Sequence, residues 1–153
     1  MSTLKKTTHL TDYSPYAFLG GRDTIKKKPT TSLDWVSIVR AGLPIVSVER
    51  AVMALNMPRS VLTNALGLSE RTIARRLKMG ILLPPDESAK MIRLAKVFSR
   101  AVEVFEDPQA ASAWLTTENA SLGKIKPLSL LDTEIGGEIV LDTLGRLEHG
   151  IFA

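Results

Sequence analysis

Apolar residues recur at helical spacing through most of this chain, and no segment sustains strand alternation. Ser32 and Asp34 mark a helix start, Trp35, Ile38 and Val39 form one face, and Gly42 closes it. Val48, Val52 and Leu55 predict a second helix over 47–55, which Asn56-Met57-Pro58 breaks. Pro58 opens a third, short helix over 59–66, and Gly67 ends it. Ser69 caps a fourth helix over 70–78, closed by Gly80. Pro84-Pro85-Asp86-Glu87 opens a fifth that runs to about Glu106, with Met91, Leu94, Ala95, Phe98, Val102 and Phe105 as its stripe. Asp107-Pro108 starts a sixth over 109–115. Residues 116–132 read as a loop with local turns. The terminal helix begins near Thr133, with Ile135, Ile139, Val140, Leu144, Leu147 and Ile151 as its apolar positions. The fold class expected is all-α.

Residues 1–31 break this pattern. They are polar, carry Ser14-Pro15, Gly20-Gly21 and Pro29 as turn signals, and include Lys26-Lys27-Lys28. The expectation is a basic, partly disordered arm over 1–31, with Tyr13, Tyr16, Phe18 and Leu19 available to tack it to the body. Residues 32–106 would form the helical body and residues 107–153 a separate terminal unit.

Composition narrows the class. A hydrophobic fraction of 44% suits a globular chain. No apolar run approaches the roughly 18 residues that span a bilayer, and the start lacks the apolar stretch of a signal peptide. With no cysteine, thiolate catalysis and thiolate metal sites are excluded, and a reducing cytoplasm fits. The net charge of +4 conceals an asymmetry. Residues 1–32 carry six Lys/Arg against two acids and residues 33–83 seven against three, whereas residues 107–153 carry three against seven. A basic front implies a polyanionic partner, most simply nucleic acid. The acidic end would be repelled by that partner and faces another.

Residues 61–77 read as a helix-turn-helix. Gly67 supplies a left-handed turn residue, Leu68 packs between the helices, and Ile73, Ala74 and Leu77 form the buried face of the second. Ser69, Arg71, Thr72, Arg75, Arg76 and Lys78 are left as the DNA-binding candidates. Ser69, Arg71 and Thr72 lie at the helix start that meets base edges and backbone in a major groove. Arg75, Arg76 and Lys78 suit phosphate contact. Lys90, Arg93, Lys96 and Arg100 form a second basic line, either an extension of that track or a solvated face. Helix-turn-helix proteins commonly read two half-sites as dimers, so a homodimer is expected.

The end of the chain holds Trp114-Leu115, Leu122-Gly123, residues 127–136 from Pro127-Leu128 to Ile135-Gly136, and residues 145–152 from Gly145-Arg146 to Ile151-Phe152. In combination these resemble the C-terminal toxin-binding domain of Xre/MbcA/ParS-type antitoxins, and the preceding helix-turn-helix resembles the N-terminal part of the same family. The resemblance covers about residues 33–153. It implies an antitoxin of a type II toxin–antitoxin system. Its partner would be a RES-domain toxin that depletes NAD, and its DNA target its own operator. On this reading Gly136, Arg146, His149, Gly150, Ile151, Phe152 and Ala153 are the toxin-binding candidates. Phe152 and the α-carboxylate of Ala153 would plug the toxin's substrate pocket.

Two rival classes remain. Asp132, Glu134, Glu138 and Asp142 supply carboxylates, but no phosphate loop, dinucleotide fingerprint or nucleophile–base pair accompanies them, so no catalysis and no cofactor are expected. His149 has only His9 as a fellow histidine, so no metal site is expected either. The alternative function is a helix-turn-helix regulator with no toxin partner.

Overall fold

The computed structural model describes residues 12–150. Eight helices are present among them. They are α1 (Pro15–Phe18), α2 (Ser32–Ala41), α3 (Val46–Leu55), α4 (Arg59–Ala65), α5 (Glu70–Met79), α6 (Pro85–Phe105), α7 (Pro108–Thr116) and α8 (Glu134–Glu148). Short 3₁₀ turns cover Gly21–Asp23, Ala120–Leu122 and Pro127–Leu130. The long α6 is the central post, and α1, α2, α3, α7 and α8 all pack on it. Its Met91, Leu94, Ala95, Val97, Phe98 and Ala101 are buried.

Helix ends follow local chemistry, with one shift. The cap of α2 is Thr31, and Ser32 is the first helical residue. The displacement has a cause three residues on. Asp34 Oδ2 accepts from the Thr31 and Thr30 amides at 3.0 and 2.8 Å, while the Asp34 amide donates to Thr31 Oγ1 at 3.2 Å. That reciprocal box fixes Thr31 as the cap. The amides, Thr30's first, hold the Asp34 carboxyl below its usual pKa.

The residues read as able to tack the arm to the body do so over residues 13–25. Phe18, Leu19 and Ile25 are buried. The Phe18 ring packs on Phe98 with centroids 5.1 Å apart, and Tyr13 meets the same ring edge-on at 6.4 Å. Tyr16 donates its hydroxyl hydrogen to the Ile25 carbonyl at 3.2 Å. Two consecutive left-handed glycines, Gly20 and Gly21, reverse the chain between these anchors. The apolar residues thus reach the core from the single-turn α1 and the glycine turn after it, too short a stretch for a helical period to show. The rest of the arm, residues 1–11, lies outside the described residues.

The terminal helix is rotated from its expected face. Ile135 and Ile139 point outward, Ile135 at 70% exposure, and Leu141 is exposed too. Gly136, Gly137, Val140, Thr143 and Leu144 face the body. Leu128 and Leu131 are buried beside them, and Leu147 is half-buried. Glycine lets the α8 backbone sit where a side chain cannot. A Cβ on Gly136 would lie 1.8 Å from the Leu130 carbonyl oxygen, and one on Gly137 would lie 2.7 Å from Arg93 Cδ. Close backbone approach, rather than isoleucine burial, therefore sets the face.

Candidate functional site

Two regions hold the predicted site residues: the α4–α5 hairpin and the far end of α8. In the hairpin, Gly67 takes the left-handed conformation with φ +67° and Leu68 is buried in the angle. Ser69 Oγ accepts the Thr72 amide at 3.2 Å and caps α5. Glu70 turns inward. Its carboxylate accepts from Arg59 Nε at 2.9 Å and from the Thr63 hydroxyl at 3.1 Å. Arg59 also donates to Glu49 at 2.7 Å, so one guanidinium ties α3, α4 and α5. Glu49 first and Glu70 second raise the pKa of that guanidinium. The crossing angle of the hairpin is thereby fixed by charge-assisted bonds.

Ser69, Arg71, Thr72, Arg75 and Lys78 come together on the outer side of α5. Arg71, Arg75 and Lys78 are exposed at i, i+4 and i+7. Among the described residues none of these three forms an ion pair. Arg76 does not join them. Its guanidinium donates to Glu87 at the start of α6, and both side chains are largely buried. Arg76 therefore staples α5 to α6, which corrects its assignment as a phosphate contact. The reason is rotational: one position past Arg75, its side chain leans back over the body, where the first-turn acid of α6 stands.

Two of the four residues of the second basic line are committed in the same way. Arg93 donates to the Leu131 carbonyl at 2.9 Å. Arg100 donates to both Glu148 oxygens, at 2.7 and 2.9 Å, and to Glu103 at 3.1 Å. Arg93 ties the turn before α8 to α6 and Arg100 ties the last turn of α8 to it, roles that sequence spacing alone could not disclose.

At the terminal helix the candidates divide. Gly136 is buried against Leu130 and cannot touch another molecule. Its place among the surface candidates is corrected to internal packing. Arg146, His149 and Gly150 lie together at the exposed end of α8. Arg146 pairs with Asp142 at 3.1 Å across one helical turn, and Gly150 takes φ +70° just beyond the helix. Ile151, Phe152 and Ala153 lie outside the described residues. Trp114 is half-buried with its ring 5.8 Å from that of Phe105. Gly145 is a further feature of this end: a Cβ there would meet nothing within 4 Å.

Among the described residues no helix is long and apolar enough to cross a membrane. A capped helix-turn-helix with an outward cationic face, joined to a second helical unit packed on its central post, defines a helix-turn-helix protein with an appended helical unit. Residues 34–96 match the family model of the antitoxin Xre-like helix-turn-helix domain. Residues 100–150 match that of the antitoxin Xre/MbcA/ParS C-terminal toxin-binding domain. Antitoxin Xre of Yersinia enterocolitica is 32% identical over 119 residues, covering 77% of this chain and 80% of its own. Antitoxin Xre of Photorhabdus laumondii is 31% identical over 116 residues, covering 75% and 78%. A Sphingobium protein named Prs ADP-ribosylating antitoxin is 25% identical over 130 residues, covering 79% and 82%. The chain belongs to the Xre antitoxin family, and it is the antitoxin of a toxin–antitoxin system with a helix-turn-helix DNA-binding domain.

Proposed function

We propose that this antitoxin blocks a RES-domain, NAD-depleting toxin through the far end of α8 and represses its own operon through α5, acting as a cytoplasmic homodimer and not as an enzyme. The observation that carries the DNA half is the exposed row Arg71, Arg75 and Lys78, beside the capped start of α5 at Ser69 and Thr72. Unpaired cations on one helical face suit phosphate contact, and the exposed helix start suits base edges. The toxin half is supported by the terminal-domain match and by Arg146, His149 and Gly150, which are exposed at the far end of α8. RES chemistry comes from the family resemblance. The name of the Sphingobium relative places that protein against ADP-ribosylation, which is also chemistry on NAD-type substrates.

Co-expression with the adjacent gene tests the reading. The antitoxin should restore growth and NAD levels and should co-purify with the toxin. Deleting Phe152 and Ala153 should relieve inhibition far more than it weakens the complex. Growth arrest with normal NAD would reject the RES assignment. On operator DNA, Arg75→Ala should weaken binding to all sequences alike and flatten the salt dependence. A changed base preference would reject its role as a phosphate contact.

A further inference from the structure

Every side of α2 carries apolar residues, yet none of its residues is buried. Leu33 is 77% exposed and Val36 is 40% exposed. A helix that is apolar all round ordinarily lies inside a core. Beside it runs a groove of about 590 Å³ between α2, α6 and α8, floored by Trp35, Val39, Ile92 and Leu141. Its charges are sorted by wall. Helices α2 and α6 contribute the cations Arg40, Arg93 and Lys96, and α8 the acids Glu134 and Glu138; Arg93 is taken up by the Leu131 carbonyl, which leaves four charges. Within the chain these charges do not meet: among the described residues none of the four forms an ion pair.

We propose that this groove is the dimer face, occupied by the α2 ridge of a second copy. A two-fold interface is made of the same patch on both subunits, so the patch has to complement itself. A cationic wall facing an anionic wall across an apolar floor meets that condition. Rotation about a two-fold axis sets Glu134 and Glu138 of each copy against Arg40 and Lys96 of the other. Leu33 and Val36 then leave water against the apolar floor. A toxin or peptide ligand gives no reason for the surface to be its own complement. The inference rests on the homodimer reading above and specifies its face.

The test is a charge exchange on the full chain. One variant carries Glu134→Lys and Glu138→Lys; the other carries Arg40→Glu and Lys96→Glu. Each alone places like charges opposite each other twice, and its dimer should weaken by on the order of 100-fold in sedimentation velocity. In an equimolar mixture every contact is again between opposite charges, so the heterodimer should form with near-native affinity. That rescue also shows that both variants are folded. Two variants as dimeric as the parent would overturn this face and leave the antitoxin reading intact. A parent that is monomeric at every concentration would overturn the face and the homodimer together. Variants that stay dimeric but fail to restore growth against the toxin would assign the groove to the toxin instead.

Discussion

Helices α5 and α8 are attached to the same body by opposite means. Helix α5 is held by charge: Glu70 is gripped by Arg59, and Arg76 by Glu87. Helix α8 is held by proximity. Gly136 and Gly137 bring its backbone against Leu130 and Arg93, and arginine bonds secure the turn before it and its last turn. The contrast teaches that one residue type performs two tasks on each helix. On α5, Arg76 is structural while Arg71 and Arg75 form no ion pair among the described residues. On α8, Gly136 is structural while Gly145 faces open space. Substitutions that separate the members of each pair are the sharpest tests of the division.

The largest effect is expected at Gly136. An added Cβ meets the Leu130 carbonyl oxygen, which is backbone and cannot swing away. Gly136→Ala should cost about 3 kcal/mol and lower Tm by roughly 10 °C in thermal denaturation. Gly137→Ala meets the Arg93 side chain, a flexible neighbour rather than backbone, and should cost less. Equal losses at the two positions would mean that α8 docks by a different face.

Next is Arg76. Arg76→Ala strands the Glu87 carboxylate in a largely buried place and should destabilise by about 2–3 kcal/mol. Arg75→Ala, one residue away, should leave stability within about 0.5 kcal/mol and should weaken DNA binding instead. Denaturant titration and a DNA-binding assay on the same two proteins make the comparison. A stable Arg76→Ala protein with impaired DNA binding would return Arg76 to the phosphate row.

These pairs mark how far the sequence could be read. Helix boundaries were legible because caps and breakers are local: Ser69, Gly80, Asp107 and Thr133 stand where their side chains or backbones terminate helices. The outward row on α5 was legible because period and charge coincide. What stayed hidden depends on neighbours distant in sequence. Arg76 meets Glu87, Arg93 meets Leu131, and Arg100 meets Glu148, none of which spacing within one helix foretells. The burial of Ile25 was obscured by the glycine turn before it, and the rotation of α8 by the expectation that isoleucine outranks glycine for the inner face.

Gly145 offers a smaller effect of opposite sign. It occupies the interior of α8 with no contact that requires it. Gly145→Ala should therefore stabilise the free antitoxin by up to about 1 kcal/mol through helix propensity alone. If the same change also weakens neutralisation of the toxin, the open surface at Gly145 is where the toxin's chain approaches closely. A gain in stability with full neutralisation would place the toxin elsewhere on α8.

The smallest effect is a pH response at the end of α8. A carboxylate there faces the negative end of the helix, which disfavours its charge. The two bonds from Arg100 outweigh this and hold the Glu148 carboxyl below its ordinary 4.5. A carboxyl depressed in the folded state contributes stability that is complete above its unfolded value and is lost as pH falls through its folded value. The clamp should thus be intact at neutral pH and released only on acidification below about 4.5, with the sidechain exposed enough that the global stability barely moves. Carboxyl NMR titration reads this directly. Glu148 should titrate below its ordinary value in the native chain and return upward in Arg100→Gln, with the amide signals of Leu147 to Gly150 following the same transition. Unchanged titration in Arg100→Gln would assign the depression to a group other than Arg100 and release α8 from its second clamp.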